Sequence, residues 1–409
     1  MGLIVQKFGG TSVGSIERIL NVADRIIEEL RSGNQVITVV SAMGKSTDDL
    51  LGLAKSITAT PAKRELDMLL TTGEQVSIAL LAIALQSKGY PAISMTGWQA
   101  GIQTESVFGN ARILDIQSNR IQSELNQGKV VIVAGFQGIT SDKEITTLGR
   151  GGSDTTAVAL AAKLNAERCD IYTDVTGVFT SDPRYVKEAR QLKDISYDEM
   201  LELANLGAGV LHPRAVEFAK NYHIPLVVRS SMEKKEGTYV SEEVTMEQNL
   251  IVRGIAFEKD ITKVTVHGLK DGIHCLPSIF SPLASNYINV DIIIQSFSET
   301  KENNVSFSIK TESLEQTLDV LKENKDVIKY DHIEWETKLA KVSIVGSGMI
   351  SNPGVAAKMF ACLAKEEILI KMVSTSEIKV SAVVDEQCVH QAANLLHDAF
   401  ELEHTVVSV

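Results

Sequence analysis

One stretch of the chain combines a glycine turn, an arginine and a helix start, a combination suited to binding a small acid. Residues 147–154 read Thr-Leu-Gly-Arg-Gly-Gly-Ser-Asp, and they predict a helix over 155–165 that Ser153 or Asp154 could cap. Arg150 stands just before this helix start, where backbone N–H groups and the helix dipole favour anions. Its guanidinium could hold a carboxylate with two parallel hydrogen bonds.

A second stretch, one helix downstream, has the residues of a nucleotide-binding loop. Residues 169–184 read Cys-Asp-Ile-Tyr-Thr-Asp-Val-Thr-Gly-Val-Phe-Thr-Ser-Asp-Pro-Arg, which predicts a short strand, Asp170–Tyr172, followed by a loop rich in Asp, Gly and Thr. In an open α/β sheet, ligands bind beyond the carboxyl ends of the strands. Each stretch alone could be an ordinary loop, but the two together favour a site for an acid and a nucleotide.

The N-terminal residues add a third candidate loop. Leu3–Gln6 predicts a strand, residues 7–14 (Lys-Phe-Gly-Gly-Thr-Ser-Val-Gly) a glycine loop, and residues 15–31 an amphipathic helix. This arrangement turns backbone N–H groups toward phosphate, although the GxxxxGK[ST] spacing of a P-loop is missing. Lys7 could reach bridging phosphate oxygens from its place before the glycines, or it could be an ordinary surface lysine.

Three further polar residues follow predicted strands or begin helices. Ser41 and Thr47 come after the strand predicted over 35–40 and are candidate hydroxyl donors. Glu74 lies in the first turn of an apolar helix that starts near Gln75. A glutamate there could complement the helix dipole, or it could hold the ammonium group of a substrate.

The remaining pattern indicates two kinds of folding unit. Continuous apolar strands such as 91–96, 130–134 and 224–228 alternate with helices, which predicts a mostly parallel sheet covered on both faces. Residues 232–246 are polar and predict a linker or a hairpin.

Beyond the polar segment the chain repeats itself. Residues 263–268 match 341–346, and residues 288–292 match 368–372. Each copy continues into an alternating strand and a helix, so a βαββαβ module is predicted twice, as an α+β sandwich.

Composition limits the functions that the chain could have. A formal net charge of −12 over 409 residues makes nucleic acid an unexpected partner, and the four cysteines are widely spaced, which argues against a disulfide scaffold or a zinc site. No apolar run reaches the roughly 18–20 residues of a membrane helix, and the N-terminal residues do not resemble a signal peptide. We therefore expect a cytoplasmic protein without a membrane or nucleic-acid partner.

Five motifs together resemble the aspartokinase family, most closely its monofunctional, Bacillus-type, lysine-regulated members. They are residues 7–13 (Lys-Phe-Gly-Gly-Thr-Ser-Val), 40–44 (Val-Ser-Ala-Met-Gly), 72–74 (Thr-Gly-Glu), 149–154 (Gly-Arg-Gly-Gly-Ser-Asp) and 172–184 (Tyr-Thr-Asp to Asp-Pro-Arg). The resemblance implies an α/β amino acid kinase fold followed by two α+β ACT domains. It divides the chain into a catalytic domain over 1–235, a linker with a joining strand over 236–262, and ACT domains over 263–337 and 338–409.

The resemblance also implies a reaction and a set of site residues. The reaction is transfer of the γ-phosphoryl of ATP to the side-chain carboxylate of L-aspartate, with Mg²⁺ bound mainly by the phosphates, as the first step toward diaminopimelate, lysine, threonine and methionine. Lys7 and Asp154 would be catalytic, and Ser41, Thr47, Glu74, Arg150 and Ser153 would bind aspartate. The nucleotide would contact Lys7, Phe8, Gly9, Gly10, Thr173, Asp174, Phe179, Thr180, Asp182 and Arg184.

Regulation and assembly are implied in the same way. The residues that match the family's effector site are Asp271, Asn289, Asp291, Gln295, Met349, Ser374 and Thr375. L-Lysine alone is the expected inhibitor, and lysine acting with threonine is the second choice. A homo-oligomer is expected, or an α₂β₂ assembly whose short subunit starts near Met246. The alternatives are a glutamate or acetylglutamate kinase of the same fold, and a non-catalytic amino-acid sensor.

Overall fold

The structure is a computed structural model that describes residues 2–207, 209–242, 251–270, 274–296 and 303–404. These residues belong to two compact units. The first unit spans Met1–Phe179, Gln191–Asn205 and Gly209–Met246, and the second spans Thr180–Arg190, Leu206–Ala208 and Glu247–Val409.

The first unit is an α/β unit. Its strands are β1 Leu3–Phe8, β2 Gln35–Val40, β3 Ala92–Met95, β4 Ile102–Thr104, β5 Ile113–Ile116, β6 Val130–Ala134, β7 Gln137–Ile139, β8 Ile145–Thr147, β9 Arg168–Thr173, β10 Asp194–Ser196, β11 Leu226–Ser230 and β12 Thr238–Ser241. Its helices are α1 Ile16–Arg31, α2 Ser46–Ile57, α3 Lys63–Leu70, α4 Thr72–Ser87, α5 Asn119–Asn126, α6 Gly152–Lys163, α7 Tyr197–Asn205 and α8 Pro213–Asn221.

The main sheet of this unit has the strand order β10-β12-β11-β9-β1-β2-β6-β3. Every neighbouring pair is parallel except β11 and β12, which are antiparallel, so the predicted mostly parallel sheet is confirmed. Of the polar segment predicted over 232–246 as a linker or a hairpin, the described residues belong to a hairpin, because β12 pairs antiparallel with β11. Residues 243–246 lie outside the described residues. Strand β1 lies between β9 and β2, so Lys7 has Ile171 and Val39 as its register partners.

Local sequence explains the helices that flank this sheet. The Ser15 side chain accepts a hydrogen bond from the Arg18 backbone N–H and caps α1, whose apolar stripe includes Val22 and Ile26. The stretch Lys63–Ser87 is long and apolar enough to cross a membrane by composition alone. It consists of the separate helices α3 and α4, and α4 packs into the protein core, which identifies it as a core helix.

The start of α6 differs from the prediction. Its N-cap is Gly151, which has a left-handed backbone conformation with φ +68°, and the helix begins at Gly152. Neither Ser153 nor Asp154 caps the helix, because the glycine turn enters the helix before either residue is reached. Both side chains lie in the first turn instead.

The second unit has one six-stranded sheet, in the order β14-β15-β13-β16-β18-β17, with every pair antiparallel. Its strands are β13 Gly254–Leu269, β14 Ile293–Ser296, β15 Asn303–Lys310, β16 His332–Val345, β17 Met372–Thr375 and β18 Lys379–Asp385. Its helices are α9 Cys275–Ser285, α10 Leu314–Glu323, α11 Lys325–Ile328, α12 Val355–Lys365 and α13 Val389–Ala399.

Two long strands join the two repeats of this unit. The first part of β13, residues 254–258, pairs with residues 341–345 of β16, whereas the later part of β13 pairs with residues 332–336. Each repeat therefore has four strands and its own helices and core. The repeat predicted over 338–409 includes a strand from 254–258, so the first repeat is inserted between the parts of the second.

Candidate active site

The Lys7 ammonium and the Asp154 carboxylate form an ion pair at the amino end of α6. Lys7 Nζ lies 2.6 Å from Asp154 Oδ1, and the two side chains are 13% and 11% exposed. A Cβ atom on Gly9 would lie 3.4 Å from the lysine Nζ, so the missing side chain leaves space beside the ammonium. The two residues predicted from the sequence are therefore in direct contact. The lysine ammonium and the amino end of α6 would both attract an anionic ligand at this place.

The glycine loop after β1 packs against the loop after β2. The Gly44 N–H donates to Gly10 O at 3.0 Å, and a Cβ atom on Gly10 would approach Ala42 O to 2.8 Å, so only glycine fits there. The Gly9 N–H donates to Tyr172 O at 3.4 Å. Phe8 is fully buried and stacks on Tyr172, so its side chain belongs to the core, and only its backbone could meet a nucleotide.

Three of the predicted aspartate-binding residues, Ser41, Glu74 and Ser153, meet at the loop after β2. Ser41 Oγ donates to Ser153 Oγ at 3.0 Å, which joins this loop to the first turn of α6. The Ala42 N–H donates to Glu74 Oε1 at 3.1 Å. Thr47 lies in α2 and is half-buried.

Glu74 is a buried acid with one free oxygen. Its side chain is nearly inaccessible, and Oε2 has no hydrogen-bond partner among the described residues. Burial raises the pKa of Glu74 to about 7, although the backbone N–H groups of Glu74 and Ala42 act in the opposite direction. An unsatisfied buried carboxylate oxygen is costly, so a cationic group that bound there would relieve the cost.

We expect this raised pKa to appear in the pH dependence of aspartate use. Below about pH 7 the free enzyme holds a proton on Glu74, so no charge remains for an ammonium group, and kcat/KM for aspartate should fall as pH decreases from 8 to 6. In Glu74→Gln, kcat/KM should be low and nearly independent of pH in this range. If kcat/KM of Glu74→Gln fell with decreasing pH as it does in the parent, the titrating group would be a residue other than Glu74.

The same shift predicts the sign of a stability change, which serves as a folding control. A carboxyl whose folded pKa is raised stabilises the folded protein below its unfolded pKa, and this contribution is lost as pH rises through the folded pKa of about 7. Glu74→Gln should therefore be at least as stable as the parent at pH 8. Thermal unfolding of both proteins at pH 8 measures this.

Arg150 lies on the turn directly before α6 and is exposed. Gly149 and Gly151 on either side of it have positive φ angles of 76° and 68°. Among the described residues, no hydrogen bond or ion pair involves the guanidinium of Arg150. The predicted carboxylate-binding arginine therefore has its donors available, four residues before Asp154 in the chain.

The predicted nucleotide residues fall into two groups. Thr173, Asp174 and Phe179 belong to the first unit, where Thr173 Oγ1 donates to Asp174 Oδ1 at 3.0 Å. Thr180, Asp182 and Arg184 belong to the second unit.

Thr180, Asp182 and Arg184 form hydrogen bonds and an ion pair within the second unit. Thr180 is fully buried, and its hydroxyl lies 2.9 Å from His397 Nε2. Arg184 Nη2 lies 2.6 Å from Asp182 Oδ2, and the arginine side chain is 80% exposed. This pair holds the pKa of Asp182 below its usual value, against the opposing effect of burial.

The predicted effector residues lie in the second unit, except that Asp271 falls outside the described residues. Asp291 forms an ion pair with Lys341, and Gln295 Nε2 donates to Cys275 Sγ at 3.2 Å. Asn289 is exposed, and Met349 lies in a short 3₁₀ turn over 347–351. Ser374 and Thr375 end β17.

Sequence reasoning missed two residues near the Arg150 turn and assigned a third only a structural role. Asp67 is buried and accepts hydrogen bonds from the N–H groups of Gly109 and Thr147 and from Thr147 Oγ1, at 2.8–2.9 Å. Arg214 donates to Leu148 O at 2.7 Å. His212, which precedes Pro213 and was interpreted from the sequence as structural, caps α8 by accepting a hydrogen bond from the Arg214 N–H. The only sequence signal for Asp67 was an acid on the buried side of a helix.

Comparisons with known proteins identify the family. A model described as "Amino acid kinase family" matches residues 2–230, and a model described as "ACT domain" matches residues 342–400. An aspartokinase from Bacillus sp. (strain MGA3) is 70% identical over 407 residues, which cover 100% of this chain and 99% of the relative.

Solved structures agree with this match. E. coli aspartokinase III in complex with aspartate and ADP (R-state) aligns with a TM-score of 0.83 at 27% identity, covering 97% of this chain and 99% of that chain. The structure of E. coli aspartokinase III in complex with lysine and aspartate (T-state) aligns with a TM-score of 0.77 at 28% identity, with the same coverage. The chain therefore belongs to the aspartokinase family and is an ATP-dependent kinase of aspartate.

Proposed function

We propose that this aspartate kinase works by holding two anions together with fixed positive charge at the amino end of α6. The observation that supports this most strongly is the contact of Lys7 Nζ with Asp154, because it connects the strand before the glycine loop to the helix that follows Arg150. In this proposal Lys7 neutralises charge on the transferred phosphoryl group, and Asp154 orients Lys7.

The remaining residues of the first unit would fix the substrate. Arg150 would bind the α-carboxylate of aspartate, and the free Oε2 of Glu74 would accept its ammonium group. Ser41, Thr47 and Ser153 would donate hydrogen bonds near the reacting carboxylate. This carboxylate is already ionised at neutral pH, so the reaction needs positioning and charge neutralisation and no general base.

The nucleotide would be held by backbone and polar groups after β1 and β9, with Gly9, Gly10, Thr173, Asp174 and Phe179 in the first unit. Thr180, Asp182 and Arg184, which the family resemblance also implies, belong to the second unit and stay predictions. Mg²⁺ would be bound mainly by phosphate oxygens and water, since it gives up its water ligands reluctantly.

A hydroxamate assay tests the proposal directly. With ATP and Mg²⁺, hydroxylamine should trap an acyl phosphate from L-aspartate, and L-glutamate and N-acetylglutamate should give little product. Because Arg150 and Glu74 would need both the α-carboxylate and the ammonium group, N-acetylaspartate should also be a poor substrate. Equal product from aspartate and N-acetylaspartate would contradict the role of Glu74.

We also propose that L-lysine inhibits the enzyme through the second unit. Support comes from the E. coli aspartokinase III structure with lysine and aspartate, and from the ion pair between Asp291 and the buried Lys341, which shows that this acid accepts an ammonium group. In the same assay, lysine alone should inhibit, and adding threonine should change the inhibition little. Inhibition only by the two amino acids together would favour the concerted alternative.

An oligomer is the proposed assembly, and the cytoplasm is the proposed location. Strand β14 lies at an edge of the six-stranded sheet and exposes Ile293 and Ile294, a feature that favours pairing with another chain. Met246, the candidate start of a short subunit in an α₂β₂ assembly, lies outside the described residues. Measuring the mass of the assembly in solution and searching for a short co-purifying chain would distinguish a homo-oligomer from the α₂β₂ assembly.

A further inference from the structure

The two glycines beside Arg150 are enclosed by side chains from other segments. A Cβ atom on Gly149 would lie 2.8 Å from Asn110 Oδ1, and one on Gly151 would lie 2.0 Å from the ring of His212. Both glycines have positive φ angles. The backbone on each side of Arg150 is therefore in close contact with a neighbouring segment.

Arg214 forms hydrogen bonds with groups on both sides of this turn. Its Nη1 donates to Leu148 O at 2.7 Å and to Asn110 Oδ1 at 3.2 Å. Its Nη2 donates to Ala111 O at 3.2 Å, and its backbone N–H donates to His212 Nδ1 at 3.3 Å. The Arg214 side chain thus binds the turn before Arg150 and the Asn110 neighbour of Gly149, whereas its backbone N–H binds the His212 neighbour of Gly151.

The connection continues through the segment around Asn110. The Ala111 N–H donates to Thr147 O at 2.9 Å, and Asp67 accepts from the N–H groups of both Gly109 and Thr147. These bonds hold residues 109–111 against the strand that leads into the turn. Loss of the Arg214 side-chain hydrogen bonds would leave the hydrogen bonds of Asp67 intact. Only the part of the turn nearest Arg150 would then lose its contacts.

Arg150 depends on its backbone for its position. Its side chain is exposed and has no recorded partner within the described part of the chain, in contrast to Lys7, which Asp154 holds. The turn therefore sets the position of the Arg150 backbone and, with it, the region that the guanidinium can reach. A fixed turn reduces the entropy lost when two donors align with a carboxylate.

We propose that Arg214 is a positioning residue for aspartate binding, which holds the glycine turn so that the backbone of Arg150 is in place before the substrate arrives. The proposal rests on the proposed role of Arg150. Arg214 itself is not expected to touch the substrate, because its guanidinium donors already bind two backbone carbonyls and the Asn110 side chain.

Steady-state kinetics of Arg214→Ala test this proposal. Loss of the turn geometry should raise the KM for aspartate and lower kcat/KM for aspartate by up to about 10²-fold, the cost that a displacement near 1 Å can have. The KM for ATP should change less than about threefold. Arg214→Lys should recover part of the loss, because a lysine ammonium can reach some of the same acceptors but lacks the planar fork.

Arg112→Ala is the matched control. Arg112 lines the same cavity as Arg214 but is exposed. The Arg112→Ala variant should leave the KM for aspartate and the KM for ATP unchanged. Thermal unfolding of each variant separates a folding defect from a kinetic one. If Arg214→Ala raised the two KM values equally, or if Arg214→Lys failed to recover any activity while folding normally, the positioning role would be wrong.

A double variant separates this inference from the proposed function. If Arg214 acts through Arg150, Arg214→Ala should cost little further activity in an Arg150→Ala background. Additive losses would overturn the inference and leave the role of Arg150 intact. An Arg150→Ala variant with unchanged aspartate KM would instead overturn the role of Arg150, whatever Arg214→Ala does.

Discussion

Lys7→Ala is expected to lower kcat by about 10²–10³-fold with a smaller effect on the KM for ATP, because the ammonium stabilises charge that develops during phosphoryl transfer. Lys7 lies 2.6 Å from Asp154 and is only 13% exposed, so no other cation can easily replace it. Initial rates over a matrix of ATP and aspartate concentrations measure both constants. Lys45→Ala, which removes an exposed lysine from the loop after β2, is the control and should be nearly silent.

Removing Lys7 also leaves the Asp154 carboxylate without its partner. Breaking a buried ion pair from one side costs about 3–5 kcal/mol, so Lys7→Ala should unfold at a lower temperature than the parent. Adding Asp154→Asn removes the unpaired charge and should recover stability but not kcat. If kcat held in Lys7→Ala and only ATP affinity fell, Lys7 would be a binding residue without a role in the chemical step.

Arg150→Ala is expected to raise the KM for aspartate by about 10²-fold or more and the KM for ATP far less. Two charge-assisted hydrogen bonds to the α-carboxylate would be lost, at about 1.5–3 kcal/mol each. Because Arg150 is exposed and forms no hydrogen bond or ion pair among the described residues, the variant should fold like the parent. This makes the kinetic change easy to interpret.

Arg150→Lys completes this experiment. A lysine keeps the charge but cannot present two parallel donors, so its KM for aspartate should lie between those of the parent and the Ala variant. Replacing aspartate with β-alanine, which lacks the α-carboxylate, should reduce the difference between parent and Arg150→Ala. Equal changes in the two KM values would remove Arg150 from the carboxylate role.

The sequence by itself determined most secondary-structure elements of the first unit and the kinds of residue in the candidate active site. The local pattern was enough to predict β1, α1 and the parallel sheet. The signals were glycines at a strand end, the amphipathic stripe of the helix that begins after Ser15, and uninterrupted apolar strands, and each depends only on residues close together in the sequence. The family motifs likewise named Lys7 and Asp154 before their contact was known.

Tertiary structure alone decided which distant residues meet. The joining of residues 254–258 to the second repeat depends on a register between strands far apart in sequence, and the packing of residues 180–190 with the second unit depends on contacts such as Thr180 with His397. The bonds of Arg214 to Leu148 and Ala111 are of the same kind. Periodicity and spacing report on neighbours within a turn or a strand, whereas these contacts form only when the whole chain has closed on itself.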